Sequence, residues 1–290
     1  MNSLVTPIQR NLKFKLPIKA VADWNKAGRH VTQFLNSMSI FFPEGERFFI
    51  QSVRNYRHEI TDPDLQKAVK AFIGQEAMHG REHDEYNQAL IEAGFPVDKL
   101  EAYVTKLLNF IQNTTPQSFQ LGVTIGLEHL TAIFADTLLK HPEFLDGAEP
   151  HFAALWQWHA LEETEHKAVA FDVFKEVMGK SPKAYALRTT TLIAATGIFF
   201  GLLYPYYFQM LKEKGDHTNL AGLWKSIRYQ WLMPGMIRKT VPAWLDYFKP
   251  GFHPWDHDNR EFLDLIPELE SRVAEFSLRN SSQPETVTVS

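Results

Sequence analysis

The chain has 290 residues, no cysteine and a formal net charge of -4, which excludes disulfides, thiolate zinc sites, iron–sulfur clusters and a cysteine nucleophile. No basic stripe dominates any segment, so no nucleic-acid partner is expected. Any transition metal must be held by His, Glu and Asp, and the twelve histidines become the residues to follow.

Residues 1–20 read as an irregular arm without the apolar stretch of a secretory signal, so the expected compartment is the cytoplasm. Ala22 to Met38 reads as a short helix. Pro43 suits the first turn of a helix running to about Ile60, and Thr61-Asp62-Pro63-Asp64 forms a turn and cap. From Leu65 to about Ala93 apolar residues recur at helical spacing, and Gly94 with Pro96 ends the run. Leu100 to Gln112 is a further helix. Thr114-Thr115-Pro116 caps the next, which runs to about Lys140 and is broken by His141-Pro142. His151 to Met178 follows Gly147 and Pro150 as one helix and stops at Gly179.

A helix over 183–213 contains 23 residues without a charge, Thr189 to Leu211. That length meets the requirement for a bilayer span, although Gly197, Gly201 and Pro205 weaken it. A buried or dimer-forming helix and an interfacial, lipid-facing segment are the other readings. Trp224, Tyr229, Trp231, Trp244, Tyr247 and Trp255 beyond it suit either packing or an interface. Peripheral membrane contact through 189–211 and a homodimer through the same helix are therefore both carried forward.

No stretch alternates with period two between turn signals, so the fold class is all-α. One helical domain over 1–279 is expected, with a bundle at about 43–179 and appended helices at 183–279. Residues 280–290 have the composition of a disordered tail.

Two Glu-x-x-His pairs, Glu76 with His79 and Glu163 with His166, each follow a lone glutamate, Glu46 and Glu128. Residues three apart on a helix differ by about 60° around the axis and about 4.5 Å along it, so each pair aims a carboxylate and an imidazole into one interior. One Glu from each of two helices plus Glu-x-x-His from each of two others is the ligand set of carboxylate-bridged dinuclear bundles. These polar residues fall inside apolar stripes. Phe72 shares a stripe with Glu76 and His79, Leu121 and Ile125 with Glu128, and Phe49 and Val53 with Glu46. Carboxylates buried together without partners are costly and demand cations, which two divalent metals would supply. Any one of these glutamates alone reads more simply as a surface residue; the joint order reverses that.

His159, four residues before Glu163, shares its face and adds a seventh ligand, giving His-x-x-x-Glu-x-x-His. His83, one turn beyond His79, reads as a hydrogen-bond partner of a ligand or a matching ligand. His129 is rotated about 100° from Glu128 and faces a neighbouring helix, while Asp136 could accept a hydrogen bond from a ligating histidine. Glu44, Glu82, Glu85, Glu162 and Glu165 read as solvated neighbours. His253 and His257, in a proline-bounded loop, suit a structural or gating role better than a second metal site.

The bundle pattern resembles the ferritin-like di-iron carboxylate superfamily, and His159-x-x-x-Glu163-x-x-His166 is similar to the p-aminobenzoate N-oxygenase type, where the additional histidine is an iron ligand. FFPEGERFFIQSVR (41–54), FIGQEAMHGREHDEYN (72–87) and YFKPGFHPWDHD (247–258) resemble a bacterial family labelled predicted metal-dependent hydrolase, over roughly residues 20–265. The superfamily resemblance implies reductive activation of O₂ at two ferrous ions. The expected function is thus a di-iron oxidase or oxygenase with Glu46, Glu76, His79, Glu128, Glu163 and His166 as catalytic ligands and His159 as the seventh, with manganese or zinc as alternative metals. Its partners would be O₂, an external electron donor and an apolar, aromatic or lipid-like small molecule lying against Phe49, Phe72, Trp156 and Trp158. A metal-dependent hydrolase with the same site, and a non-catalytic metal-storage bundle, are the alternatives; no Ser-His-Asp triad, glycosidase pair or phosphate loop is present.

Overall fold

The computed structural model describes residues 5–281, and all regular structure among them is helical. The main helices are α1 (Arg29–Ser39), α2 (Phe42–Arg54), α3 (Pro63–Glu92), α4 (Val97–Thr114), α5 (Gln117–Lys140), α6 (Pro150–His166), α7 (Val169–Met178), α8 (Pro182–Glu213), α9 (Leu220–Trp231), α10 (Met236–Asp246) and α11 (Ile266–Ser281). Asn280 and Ser281 thus close α11, and the rest of the tail read as disordered lies outside the described residues.

Three of these helices start with one device. Asp62, Glu149 and Ser181 each accept hydrogen bonds from first-turn amides of α3, α6 and α8, and a proline follows directly, where its missing N–H leaves no donor unmet. The entry points of these three helices are therefore set locally, before any tertiary packing.

Four helices, α2, α3, α5 and α6, surround a buried polar layer that lies between two apolar clusters. On one side Phe34, Tyr86, Leu130, Phe152 and Leu161 belong to a core beneath α1, α8 and α9. On the other, Phe48, Val69, Phe72, Ile125 and Val173 belong to a second core that takes in Tyr247 and Phe252. Along α3 the order is apolar to Phe72, polar from Gln75 to His83, apolar again from Tyr86, and α5 switches in the same way around Glu128. The seam between two cores is where the ligand spacing puts its side chains.

Three expected helix limits differ. The first helix starts at Arg29 rather than Ala22, because Gly28 has φ 109° and the preceding segment is fixed otherwise: the Trp24 indole donates to Asn36 (2.9 Å) and the Asn25 amide to Phe144 O (3.1 Å). The second ends at Arg54 instead of about Ile60, where tight three-residue turns follow and carry Ile60 into the core. The expected helix 151–178 is two helices, α6 and α7. At the break the buried Lys167 ammonium donates to His257 O (2.6 Å) and Asn259 Oδ1 (2.7 Å) and lies 4.2 Å from the Trp255 ring centroid. The loop carrying His253 and His257 thus clamps the end of α6, one residue past His166.

Among the described residues two helices, α5 and α8, are long and apolar enough to cross a membrane, but 83% of the most apolar 18-residue stretch of α5 is buried within the fold and only 33% of that of α8. They cross so closely that a Cβ on Gly126 would sit 3.1 Å from Leu192 Cα. Gly126→Ala should lose about 1–2 kcal/mol in a denaturant titration, because a gain in helix propensity of about 1 kcal/mol does not offset overpacking of about 1–3 kcal/mol against backbone. Gly201→Ala, whose Cβ meets nothing within 4 Å, should instead gain about 0.5–1 kcal/mol. Equal effects at the two positions would contradict the close crossing.

Candidate metal centre

Glu46 enters from α2, Glu76 and His79 from α3, Glu128 from α5, and His159, Glu163 and His166 from α6, and every one is buried. Donor atoms of Glu76, His79, Glu163 and His166 lie within 4.8 Å of one another, and so do those of Glu46, His79 and His159, so His79 joins two groups. His166 Nε2 is 3.1 Å from Glu76, 3.5 Å from Glu163 and 3.7 Å from Glu128. All seven residues picked out by spacing converge. Gly80 makes this possible on one side: a Cβ there would stand 3.2 Å from Glu46 Oε2.

The electrostatics are those of a site short of positive charge. Burial pushes Glu46 well above the ordinary carboxylate range, and Glu163 and Glu128 add to it. Burial raises Glu76 and Glu128 likewise, with Glu46 and Glu163 adding to the first and Glu76 and Glu163 to the second. Burial also works to raise Glu163, but His166 and His159 outweigh it and hold this carboxyl well below its usual range. Burial lowers His79 and His83, and repulsion from His159 reinforces it, so both are neutral imidazoles suited to donate a lone pair. Both oxygens of Glu46, Glu76 and Glu128, both nitrogens of His79 and Nε2 of His166 are buried without a hydrogen-bond partner. Native interiors leave very few such atoms. Oxygen and imidazole donors orphaned around two adjoining points fit a pair of divalent first-row ions, the role this ligand set has in dinuclear bundles.

A second layer fixes the first. His79 Nε2 stands 3.2 Å from Glu162 Oε2, close to that carboxylate but in a geometry that makes no hydrogen bond. His166 Nδ1 meets Gln75 Oε1 at 3.0 Å, and Gln75 donates in turn to Glu165 at 2.7 Å. Arg10, from the N-terminal arm, pairs with Glu165 (2.8 Å) and Glu162 (3.3 Å), so one guanidinium stands behind the histidines of both Glu-x-x-His pairs. Across the cluster, His159 contacts Glu163 (3.1 Å) through Nε2 and His83 (2.8 Å) through Nδ1, and His83 ends on Ser39 (2.9 Å). Thr131 donates to Glu163 Oε2 at 2.7 Å. Such outer contacts set ring orientation and ligand basicity.

Several expectations are corrected here. Glu82, Glu162 and Glu165 are buried rather than solvated: Glu162 and Glu165 meet Arg10, and Glu82 accepts from Phe14 N (3.3 Å) and Arg81 (2.7 Å), tying down the arm. Asp136 does not reach a ligating histidine; it accepts from Asn259 (3.0 Å) and Lys140 (2.8 Å). Phe72 and Trp158 pack edge-on against His166 and His79 and do not line the cavity, whereas Phe49 and Trp156 do. His83 stands behind His159, and His129 contacts Ala243 O and the Tyr247 and Phe252 rings, as its rotation away from Glu128 implied. His253 pairs with Asp172 (3.0 Å) and His257 with Asp246 (3.2 Å), both structural contacts. Sequence reasoning passed over Arg10, Gln75 and Thr131 and misread Glu162 and Glu165 as solvated. Gln75 and Thr131 carry a faint signal as polar residues inside apolar stripes, and Arg10 carries none.

The cavity, about 390 Å³, lies between α2, α4, α5 and α8. Its walls are aliphatic and aromatic, among them Phe42, Phe49, Leu108, Leu130, Phe134 and Phe199, and it reaches the cluster at Glu46, His159 and Glu163.

Without metal, the raised carboxyls hold protons that the unfolded chain releases above about pH 4.5. That contribution is full at low pH and is lost as pH rises through the folded values. The melting temperature of metal-free protein should fall as pH rises above about 5, that of metal-loaded protein should not, and metal loading near pH 7 should release protons to the solution. Parallel pH profiles without proton release would contradict a carboxylate-held metal pair. Arg10→Met touches no ligand, yet should weaken metal affinity about 10- to 100-fold in a competitive chelator titration; unchanged affinity would reduce the arm to a packing element.

No curated protein and no solved structure shows significant similarity to the chain. A family model described as predicted metal-dependent hydrolase matches residues 8–258, a span that holds all seven converging side chains, Arg10 and the 247–258 loop, and the chain belongs to that family.

Proposed function

We propose that this protein is a di-iron oxidase or oxygenase acting on an apolar small molecule, with Glu46, Glu76, His79, Glu128, His159, Glu163 and His166 holding the ions. The cavity is the observation that carries this reading: an apolar chamber ends on one face of the ligand cluster, at Glu46, His159 and Glu163, and offers no cluster of polar groups to grip an ester or phosphate. When bound, a ferrous pair supplies the electrons that activate O₂, and an external donor restores them. The chain supplies the surroundings. Phe42, Phe49 and Leu130 exclude water and hold an apolar body against the cluster. Thr131 and His159 fix Glu163 from both of its oxygens, and Glu46, with neither oxygen committed, is free to change its binding mode. Resemblance to ferritin-like di-iron carboxylate proteins supports the same chemistry.

The family's description favours a second reading, a metal-dependent hydrolase working with redox-inert zinc. A storage role has less support, since an apolar chamber offers hydrated cations no path. Protein from iron-replete cells should carry about two irons per chain, and the ferrous form should consume O₂ with a transient visible absorption band. Two zinc ions, no colour and no O₂ uptake would transfer the assignment to hydrolysis. Ala135→Phe, built into the cavity wall, should leave iron content unchanged and weaken binding of a fluorescent polyene fatty acid at least about tenfold.

A further inference from the structure

α8 is apolar on faces that point in opposite directions. Leu192, Leu203, Met210 and Leu211 are buried against the bundle, while Ile193, Gly197, Ile198, Gly201, Pro205 and Phe208 form an exposed stripe. At about 1.5 Å per residue that stripe runs roughly 22 Å, and no charge interrupts it. Because the other face is committed to the bundle, the helix can lie along an apolar layer but has no free surface with which to cross one.

Its flanks extend the feature. On one side the Trp231 indole donates to Tyr204 OH (3.2 Å) and the Trp244 indole to Thr196 (3.0 Å), bringing α9 and α10 alongside. There Trp224 and Met233 are 55% and 67% exposed. Between Asp216 and Asp246 the chain has four cations, Lys225, Arg228, Arg238 and Lys239, and no carboxylate, in a protein whose net charge is -4. On the other side Tyr206 donates to Leu100 O (2.7 Å), bringing α4 alongside. The cavity rim lies on that flank. Phe110 of α4 and Ile198 of α8 both line the cavity and are 64% and 45% exposed.

Exposed tryptophans beside clustered cations and a charge-free stripe are the pattern of an interfacial protein on an anionic membrane. A second copy of the chain fits the face less well. In a two-fold interface the same four cations would meet themselves, whereas anionic headgroups neutralise them. We propose that the face formed by α8, α9 and the rim at Phe110 rests on an anionic lipid bilayer, and that the apolar substrate enters the cavity from the lipid between Phe110 and Ile198. The route of entry rests on the reading of the cavity as a substrate site; the membrane contact does not.

Full-length protein should co-sediment with vesicles containing about 30% phosphatidylglycerol, bind phosphatidylcholine vesicles much more weakly, and come off as salt is raised. Lys225→Glu with Arg228→Glu should weaken binding to the anionic vesicles at least about tenfold. Trp224→Ser with Met233→Ser should weaken binding to both vesicle types. These side chains are exposed, so circular dichroism and melting temperature should match the parent protein. No co-sedimentation with anionic vesicles overturns the proposal. So does a dimer in sedimentation equilibrium that either double variant splits, which would make this face a subunit contact. Protein that binds vesicles but consumes no O₂ sinks only the oxygenase reading, and protein that consumes O₂ but ignores vesicles sinks only this one.

Discussion

Buried negative charge without internal compensation is the constraint around which the bundle is built. Glu46, Glu76 and Glu128 form no ion pair with an arginine or lysine among the described residues, and their oxygens meet no hydrogen-bond donor. An isolated buried carboxylate of this kind costs several kcal/mol, so three together must either keep protons or meet cations. The fold makes the second outcome the favourable one. It supplies neutral imidazoles at His79 and His83, which would add repulsion if charged, and confines proton-free carboxylate to Glu163, where His166, His159 and Thr131 stabilise it. Placing this layer between two apolar cores removes competing water from every side except the cavity.

The two sides of the cluster differ in kind. Toward the N-terminal arm it is sealed by charge: Arg10, Glu162, Glu165 and Gln75 form a connected network behind His79 and His166, with Trp158 and Phe14 packed beside it. Toward the cavity it is bounded mainly by hydrocarbon and aromatic rings, with Thr131 donating to Glu163. A buried network is stable when its members satisfy one another, and here each carboxylate not needed for metal is matched to the arm's guanidinium or to an amide. The division separates the groups that hold ligands in place from the volume where a small molecule can approach them.

What the amino-acid order revealed follows the range of the interactions involved. The convergence of these side chains was readable because Glu-x-x-His is an intrahelical spacing, and because four helices repeat the same inward polar position. The break at Lys167 was not readable. It depends on His257 O and Asn259, about ninety residues further along, capturing an ammonium that would otherwise continue an amphipathic helix. Arg10 was hidden for the same reason, since its partners lie more than 150 residues away. Phe72 and Trp158 illustrate a subtler loss. Periodicity put them on the ligand face, and they do touch His166 and His79, but a helical face has two flanks and spacing alone does not say which one opens on the cavity.

Hydropathy alone treats α5 and α8 alike, yet they do opposite things. α5 is apolar on nearly all sides because it is wrapped by other helices, and Gly122 and Gly126 let α8 approach its backbone. α8 inherits one buried face from that crossing and keeps its other face apolar although nothing among the described residues covers it. A solvent-facing stripe under no further demand would accumulate charged residues at little cost, as the outer faces of α3 and α4 do with Lys67, Lys70, Lys99 and Lys106. That α8 does not, over the very stretch that also walls the cavity through Ala194, Ile198 and Leu202, ties its outward surface to the same chemistry as its inward one.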